Sequence, residues 1–230
     1  SGTKIKDWTT VAININASSY TNDWQVDFIA LKEGTSNYVS VKVQDNAGNY
    51  YIANDVFYVW KDTTSPTITD NQSGDDTWRT ANDGTYDVDF NDTGYSKLFK
   101  FQTKIYSEPN QSGTLIDDWQ DVVTSINENG YTTNWSLQSE TWNLLPCGKS
   151  YISIRVWDNA GNYTDQIDAF YVKKYTAPPA VDDNQTGDDI WRRVGGTVYD
   201  IDFTDEGSLL TGAEYTVWTS TGQELSLIHI

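Results

Sequence analysis

An internal repeat with an offset of 113 residues constrains this chain more than any other feature. Asp70 to Asp92 reads DNQSGDDTWRTANDGTYDVDFND, and Asp183 to Asp205 reads DNQTGDDIWRRVGGTVYDIDFTD. Thirteen of those 23 positions are identical without a gap. Tyr38 to Pro66 and Tyr151 to Pro179 stand at the same offset and share 16 of 29 positions. Ser1 to Trp8 matches Ser112 to Trp119 at an offset of 111. Three collinear matches mean that one structural unit recurs along the chain. In this frame, 1–62 is the C-terminal half of one repeat. Residues 63–176 are a complete repeat, and 177–224 are the N-terminal half of a third.

Alternation at period two identifies the strands of the unit. Tyr86, Val88 and Phe90 face one way, and Asp87 and Asp89 the other. Their copies are Tyr199, Ile201 and Phe203 against Asp200 and Asp202. Phe99, Phe101 and Ile105 alternate with Lys100, Gln102 and Lys104. Ile152, Ile154 and Val156 alternate with Ser153, Arg155 and Trp157. Phe170 and Val172 open the last strand, and weaker strands are expected at 67–70, 119–123 and 134–143. No segment carries a helical period. About seven strands in about 110 residues, wet on one face and apolar on the other, predict an all-β two-sheet sandwich. Composition agrees: Asp outnumbers Glu by 26 to 7, and Asp belongs to turns where Glu favours helices.

Three segments of the complete repeat resemble the bacterial Ig-like and fibronectin type III-like modules strung along large surface proteins. Leu145-Pro146-Cys147-Gly148-Lys149-Ser150-Tyr151 resembles the tyrosine corner that leads into strand F. Asp158-Asn159-Ala160-Gly161-Asn162, copied at Asp45-Asn46-Ala47-Gly48-Asn49, resembles their F–G turn. Lys61-Asp62-Thr63-Thr64-Ser65-Pro66 resembles their linker. The second linker departs from this pattern, with Tyr175 in the place of Asp62. The resemblance implies tandem seven-stranded Ig-like or fibronectin III-like β-sandwiches, one complete and two partial. It also implies an extracellular or cell-surface setting. Its bearing on function is weaker, because sandwiches host many roles.

Charge and chemistry narrow the function. The net charge of −18 opposes binding to phosphate backbones and excludes nucleic acid as a partner. The longest apolar runs are about five residues, too short to insert in a bilayer. One Cys precludes an intrachain disulfide, one Cys and one His are too few for a zinc cluster, and the only His, His229, lies in a terminal hexapeptide expected to be foreign, which leaves no native His for Ser–His or Cys–His catalysis. Most of the acids in the carboxylate pairs that remain recur between repeats, as a fold requirement does and an active site rarely does. We therefore expect no enzyme and no required cofactor.

Calcium is the better use of so much Asp, since it takes several oxygen ligands. In a sandwich, strands B and F end at the pole facing the preceding module. The B–C loop with Asn91 and Asp92, the F–G turn with Asp158 and Asn159, and the linker Asp62 should converge there. Related tandem modules hold calcium at that junction, so the resemblance implies a Ca2+ site at Asp62, Asp92, Asp158 and Asn159. The competing reading is that Asp92 and Asp158 only cap their own turns. Of the ten Trp, the pairs Trp8/Trp119, Trp24/Trp135 and Trp78/Trp191 recur and are expected in or near the core. Trp157, which is Gln44 in the other copy, is the freer candidate for a ligand such as a sugar ring.

The hexapeptide 225–230 matches one reading frame of a transposon-end sequencing adaptor. We expect it, and His229 with it, to be foreign to the repeat. The expected role is a spacer or adhesin repeat of a large bacterial extracellular protein. Its partners would be neighbouring repeats and a protein or glycan target. The alternative is a carbohydrate-binding or accessory module of a large extracellular enzyme.

Overall fold

The structure, a computed structural model, describes residues 2–72, 74–185 and 187–219. The hexapeptide 225–230 and the end of the third repeat lie outside the described residues. In chain order the elements are β1 (Asn37–Gln44), β2 (Tyr50–Val59), β3 (Thr67–Asp70), β4 (Trp78–Arg79), β5 (Val88–Asn91) and β6 (Leu98–Glu108). They continue with β7 (Ser112–Thr124), β8 (Gly130–Tyr131), α1 (Ser139–Leu144), β9 (Gly148–Asp158), β10 (Tyr163–Lys174), β11 (Ala180–Asp183) and β12 (Ile201–Thr204). The chain is all-β; among the described residues helix is confined to α1 and a short 3-10 turn at Phe28–Ala30.

Strands β3 to β10 form a sandwich. One layer has the order β3-β5-β8 and the other β4-β10-β9-β6-β7. All pairings are antiparallel except β4 with β10. Two further hairpins, β1-β2 and β11-β12, each form a two-stranded sheet of their own.

The alternation of the sequence becomes the core. Tyr86, Val88 and Phe90 face inward from one layer, and Phe101, Ile105, Ile152, Ile154, Val156, Phe170 and Val172 from the other. Ring stacks join the layers: Tyr86 on Phe170 and Phe90 on Phe101, each with centroids 4.4 Å apart. Trp135 closes one side, and Tyr86 and Trp135 exchange backbone hydrogen bonds of 2.7 and 3.2 Å. Leu137, Trp142 and Leu145 complete the cluster.

Two local expectations are corrected. The register of β6 shifts between Leu98 and Lys100, so Leu98 enters the core and Phe99 is left outside. A bulge of this kind reverses side-chain parity within one strand, and a strict period-two count cannot follow it. Segment 134–143 is not a strand; it holds one bridge at Trp135 and then α1. Six residues are too few to show a helical period, and the buried Thr141 hydroxyl anchors the helix by donating to Asp117 at 2.8 Å. Tyr151 stands on the outer face beside Tyr171, because Ile152, Ile154 and Val156 claim the inner one.

The repeat equivalent of Phe170 is Phe57, which is 39% exposed where Phe170 is 3% exposed. Phe170→Ala is therefore expected to cost about 3–5 kcal/mol. Phe57→Ala should change the stability of the sandwich by less than about 0.5 kcal/mol. Urea unfolding of dilute protein, followed by tryptophan fluorescence, checks both; similar losses for the two variants would contradict the assignment of the core.

Candidate metal centre

Strands β5 and β9 lie in opposite layers, and both end at the same pole. β5 runs out at Asn91 directly before Asp92, and β9 terminates at Asp158. The linker between β2 and β3 passes over this pole and contributes Asp62. One carboxylate oxygen from each of Asp62, Asp92 and Asp158 lies within 4.8 Å of the other two. Asp92 and Asp158 are buried, at 2% and 1% exposure.

Backbone donors hold each carboxylate in place. Asp62 Oδ1 accepts from the Thr64 N–H, and its Oδ2 accepts from the N–H groups of Tyr95 and Ser96 at 2.8 and 2.7 Å. Asp92 Oδ1 accepts from the Gly94 N–H at 2.8 Å. Asp158 receives the Asn162 backbone N–H on Oδ1 and the Asn162 amide on Oδ2. The same Asn162 amide also donates to the Asp62 carbonyl, tying the turn to the linker. Gly94 is required by close approach: a Cβ there would stand 2.6 Å from the Asp62 carboxylate.

Turn capping accounts for only part of this. Asp45 makes the same turn with Asn49 in the earlier copy, and there the carboxylate is exposed with no acidic neighbours. At the pole, Asp92 Oδ2 is buried with no hydrogen-bond partner among the described residues, as is the nearby Ser96 hydroxyl. Among the described residues none of the three carboxylates forms an ion pair; the adjacent lysines are engaged elsewhere, Lys61 with Glu33 and Lys97 with the Asn127 carbonyl. At 4.8 Å, two unit charges repel by about 3 kcal/mol at an effective dielectric of 20. Three neighbouring carboxylates, one of them with a donorless oxygen, make an arrangement that could hold a cation.

The carboxyl groups respond differently. Burial pushes Asp92 up, and the charges of Asp62 and Asp158 add to this against the Gly94 hydrogen bond. Burial also opposes ionisation of Asp62, but Ser96 and the N–H groups of Thr64 and Tyr95 outweigh it and hold it below the usual range.

Other residues singled out in the sequence lie elsewhere. Asn159 is at the pole, but its amide donates to the carbonyls of Ser96, Lys97 and Leu98, so it positions the loop behind Asp92. Asn91 is exposed and outside the carboxylate group. At the second linker, the Tyr175 ring occupies the place over Gly207 that Asp62 occupies over Gly94. That junction therefore has no linker carboxylate. Trp157 lies half-buried on the outer face of the five-stranded sheet. Its indole N–H donates to Gln102 at 2.9 Å, and its ring lies 4.6 Å from that of Tyr163. Arg155 covers the neighbouring rings, 4.3 Å from Trp119 and 4.6 Å from Tyr163, while paired to Asp165 through two hydrogen bonds. The Ser96 hydroxyl was not legible in the sequence, because nothing marks one serine among many as buried.

No family model matches the chain, and none of the curated proteins compared with it is recognisably similar.

The two shifts act on stability with opposite signs. Asp62, with a lowered value, stabilises the fold above the ordinary carboxylate range, and this is lost as pH falls through its depressed value. Asp92, with a raised value, favours the protonated native state, so stability declines as pH climbs from the ordinary range through its raised value. In chelator at about pH 7, Asp92→Asn should raise the melting temperature and Asp62→Asn should lower it. Thermal melts of both variants across the acid and neutral range check this; changes of the same sign at neutral pH would contradict the electrostatic account.

Proposed function

We propose that this chain is a spacer and adhesion element of a large extracellular or cell-surface protein, built of tandem Ig-like β-sandwiches whose first junction is stiffened by Ca2+. The role is mechanical rather than catalytic. The observation that carries the reading is the convergence of the linker carboxylate Asp62 with Asp92 and Asp158 of the sandwich. An ion there would join the segment between two repeats to the body of the second. Calcium suits the donor set, which is all oxygen and carries up to three negative charges. Asp62, Asp92 and Asp158 would hold it, with the unpartnered Ser96 hydroxyl beside them.

The strand order supports the Ig-like part of the reading, with three strands opposed to a sheet whose centre is β10-β9-β6. The linker is also strapped from the other side. Gly34 N–H donates to the Lys61 carbonyl at 3.0 Å, and Thr63 donates through both N–H and hydroxyl to Glu33. A linker held at both ends transmits load instead of swivelling. The outer-face aromatic strip of half-buried Trp119 and Trp157 with exposed Tyr163 favours a second reading, a carbohydrate-binding module. Arg155 already lies over all three rings, so the spacer reading stands ahead of it.

Calcium titration of the chelated protein tests the proposal. At a hundredfold excess over Kd the ion should stabilise the fold by about 2.7 kcal/mol. The triple variant Asp62→Asn, Asp92→Asn, Asp158→Asn should be indifferent to both calcium and chelator. A wild type equally indifferent at millimolar calcium removes the ion from the proposal.

A further inference from the structure

The two junctions between repeats are held by different contacts. At the first, Asp62 lies over Gly94, and the ring of Tyr95 lies over Gly34 of the preceding repeat. At the second, the repeat frame puts Tyr175 in the place of Asp62, Gly207 in that of Gly94 and Ser208 in that of Tyr95. Each junction thus has one aromatic ring packed on a glycine. The first takes that ring from the loop after β5, and the second takes it from the linker.

Tyr175 belongs to both sides of its junction. Its backbone N–H donates to the Arg79 carbonyl at 3.1 Å, which carries the pairing of β10 with β4 one residue past the end of β10. Its ring meets that of Trp78 edge to face, with centroids 6.2 Å apart. The same ring lies so close over Gly207 that a Cβ there would overlap three adjacent ring carbons, the geometry of an approach to the ring face. No side chain fits that position while the ring is seated. Gly207 is not in the left-handed region, so close approach and not backbone freedom requires the glycine. Burial, and then the charges of Asp205 and Glu206, push the Tyr175 phenol up, in keeping with a ring that reaches the acidic loop of the next repeat.

That loop is satisfied where its copy is not. Asp205 Oδ2 accepts from the Ser208 hydroxyl at 3.1 Å and from the Leu209 N–H at 2.6 Å. Asp92 Oδ2, at the equivalent position, has no partner among the described residues. A neutral ring in place of the linker carboxylate adds no repulsion beside Asp205, so the contact holds by packing.

We propose that Tyr175 locks the second junction without an ion, so that the two junctions of this chain answer differently to calcium. When calcium is withdrawn, stiffness is lost at the first junction and kept at the second. The lock stands on the ring contacts; only the contrast with the first junction rests on the calcium reading.

Glycine-selective isotope labelling of the full chain, read by NMR in chelator and then in excess calcium, tests it. An α-proton of Gly207 faces the Tyr175 ring, so its resonance should be displaced upfield, and by the same amount in both conditions. Tyr175→Phe should keep the displacement, and Tyr175→Ala should lose it. The Gly34 and Gly94 resonances, by contrast, should move when calcium is added. Chymotrypsin cleavage after Tyr175, followed through the mass of its product, gives a second readout and should be indifferent to calcium. Gly207→Ala denies the ring its seat and should speed that cleavage roughly two- to tenfold, the factor by which one aromatic contact changes an open population. The tryptophan-detected melt of each variant reports the integrity of the sandwich separately. A Gly207 resonance at its ordinary position, one displaced only in calcium, or one still displaced in Tyr175→Ala overturns the lock, as does cleavage that Gly207→Ala leaves unchanged. Gly34 and Gly94 resonances that ignore calcium overturn the contrast together with the calcium reading, while the Gly207 resonance still decides the lock by itself.

Discussion

The stacking of Tyr86 on Phe170 and of Phe90 on Phe101 is the contact on which the rest of the molecule depends. Each stack crosses from one layer of the sandwich to the other. Each adds about 0.5–1.5 kcal/mol beyond the area it buries. Their larger effect is geometric. With β5 fixed over β6 and β10, the last residues of β5 and β9 arrive at the same pole, and Asp92 and Asp158 are delivered there from opposite layers. The acidic cluster is thus a product of the core. No local turn rule would bring together residues 66 positions apart, from Asp92 to Asp158.

Electrostatics then works against the packing. The core drives two carboxylates out of water, and the linker adds a third. Six N–H groups offset part of the cost by donating to these oxygens. They leave Asp92 Oδ2 without a partner, and it is Asp92 whose carboxyl is pushed up. A chain of charge −18 offers few cations to spare, and the lysines beside the pole are held by Glu33 and by a backbone carbonyl. That unmet demand is the physical basis of the calcium proposal.

What could be read from the sequence followed the range of the interactions. Alternation of Tyr86, Val88 and Phe90 with Asp87 and Asp89 gave an inner and an outer face because strand geometry is local. The all-β character followed from several such segments. Phe99 was misplaced because a shifted register decided which face it took. The helix α1 was missed because its six residues are held by tertiary contacts, including the Asp117 hydrogen bond. Asp62, Asp92 and Asp158 could be nominated together from strand order. Which of their neighbours would be buried without a partner depended on packing, so Ser96 stayed unseen and Asn159 was given a ligand's place instead of a supporting one.

The copies of the repeat separate local order from non-local order within one chain. Asp75 pairs with Arg79, and Asp188 with Arg192, although the second pair has no sandwich around it. Asn71 bridges Asp87 and Asp89, as Asn184 bridges Asp200 and Asp202. The Asp45 and Asp158 turns close alike, with glycines at φ +92° and +93°. Such devices form wherever their few residues occur, because their loops are short and closing them costs little entropy. Burial is different: it appears only where both halves of a repeat are present. The cooperative unit is therefore the whole repeat, while its turns and clamps are set in advance. Asp62 is the exception that connects the two regimes. It belongs by sequence to the end of one repeat, yet its carboxylate is held by the backbone of the next. The junction is accordingly a place where a neighbouring repeat reaches into a complete sandwich, and at the second linker Tyr175 stands over Gly207 where Asp62 stands over Gly94.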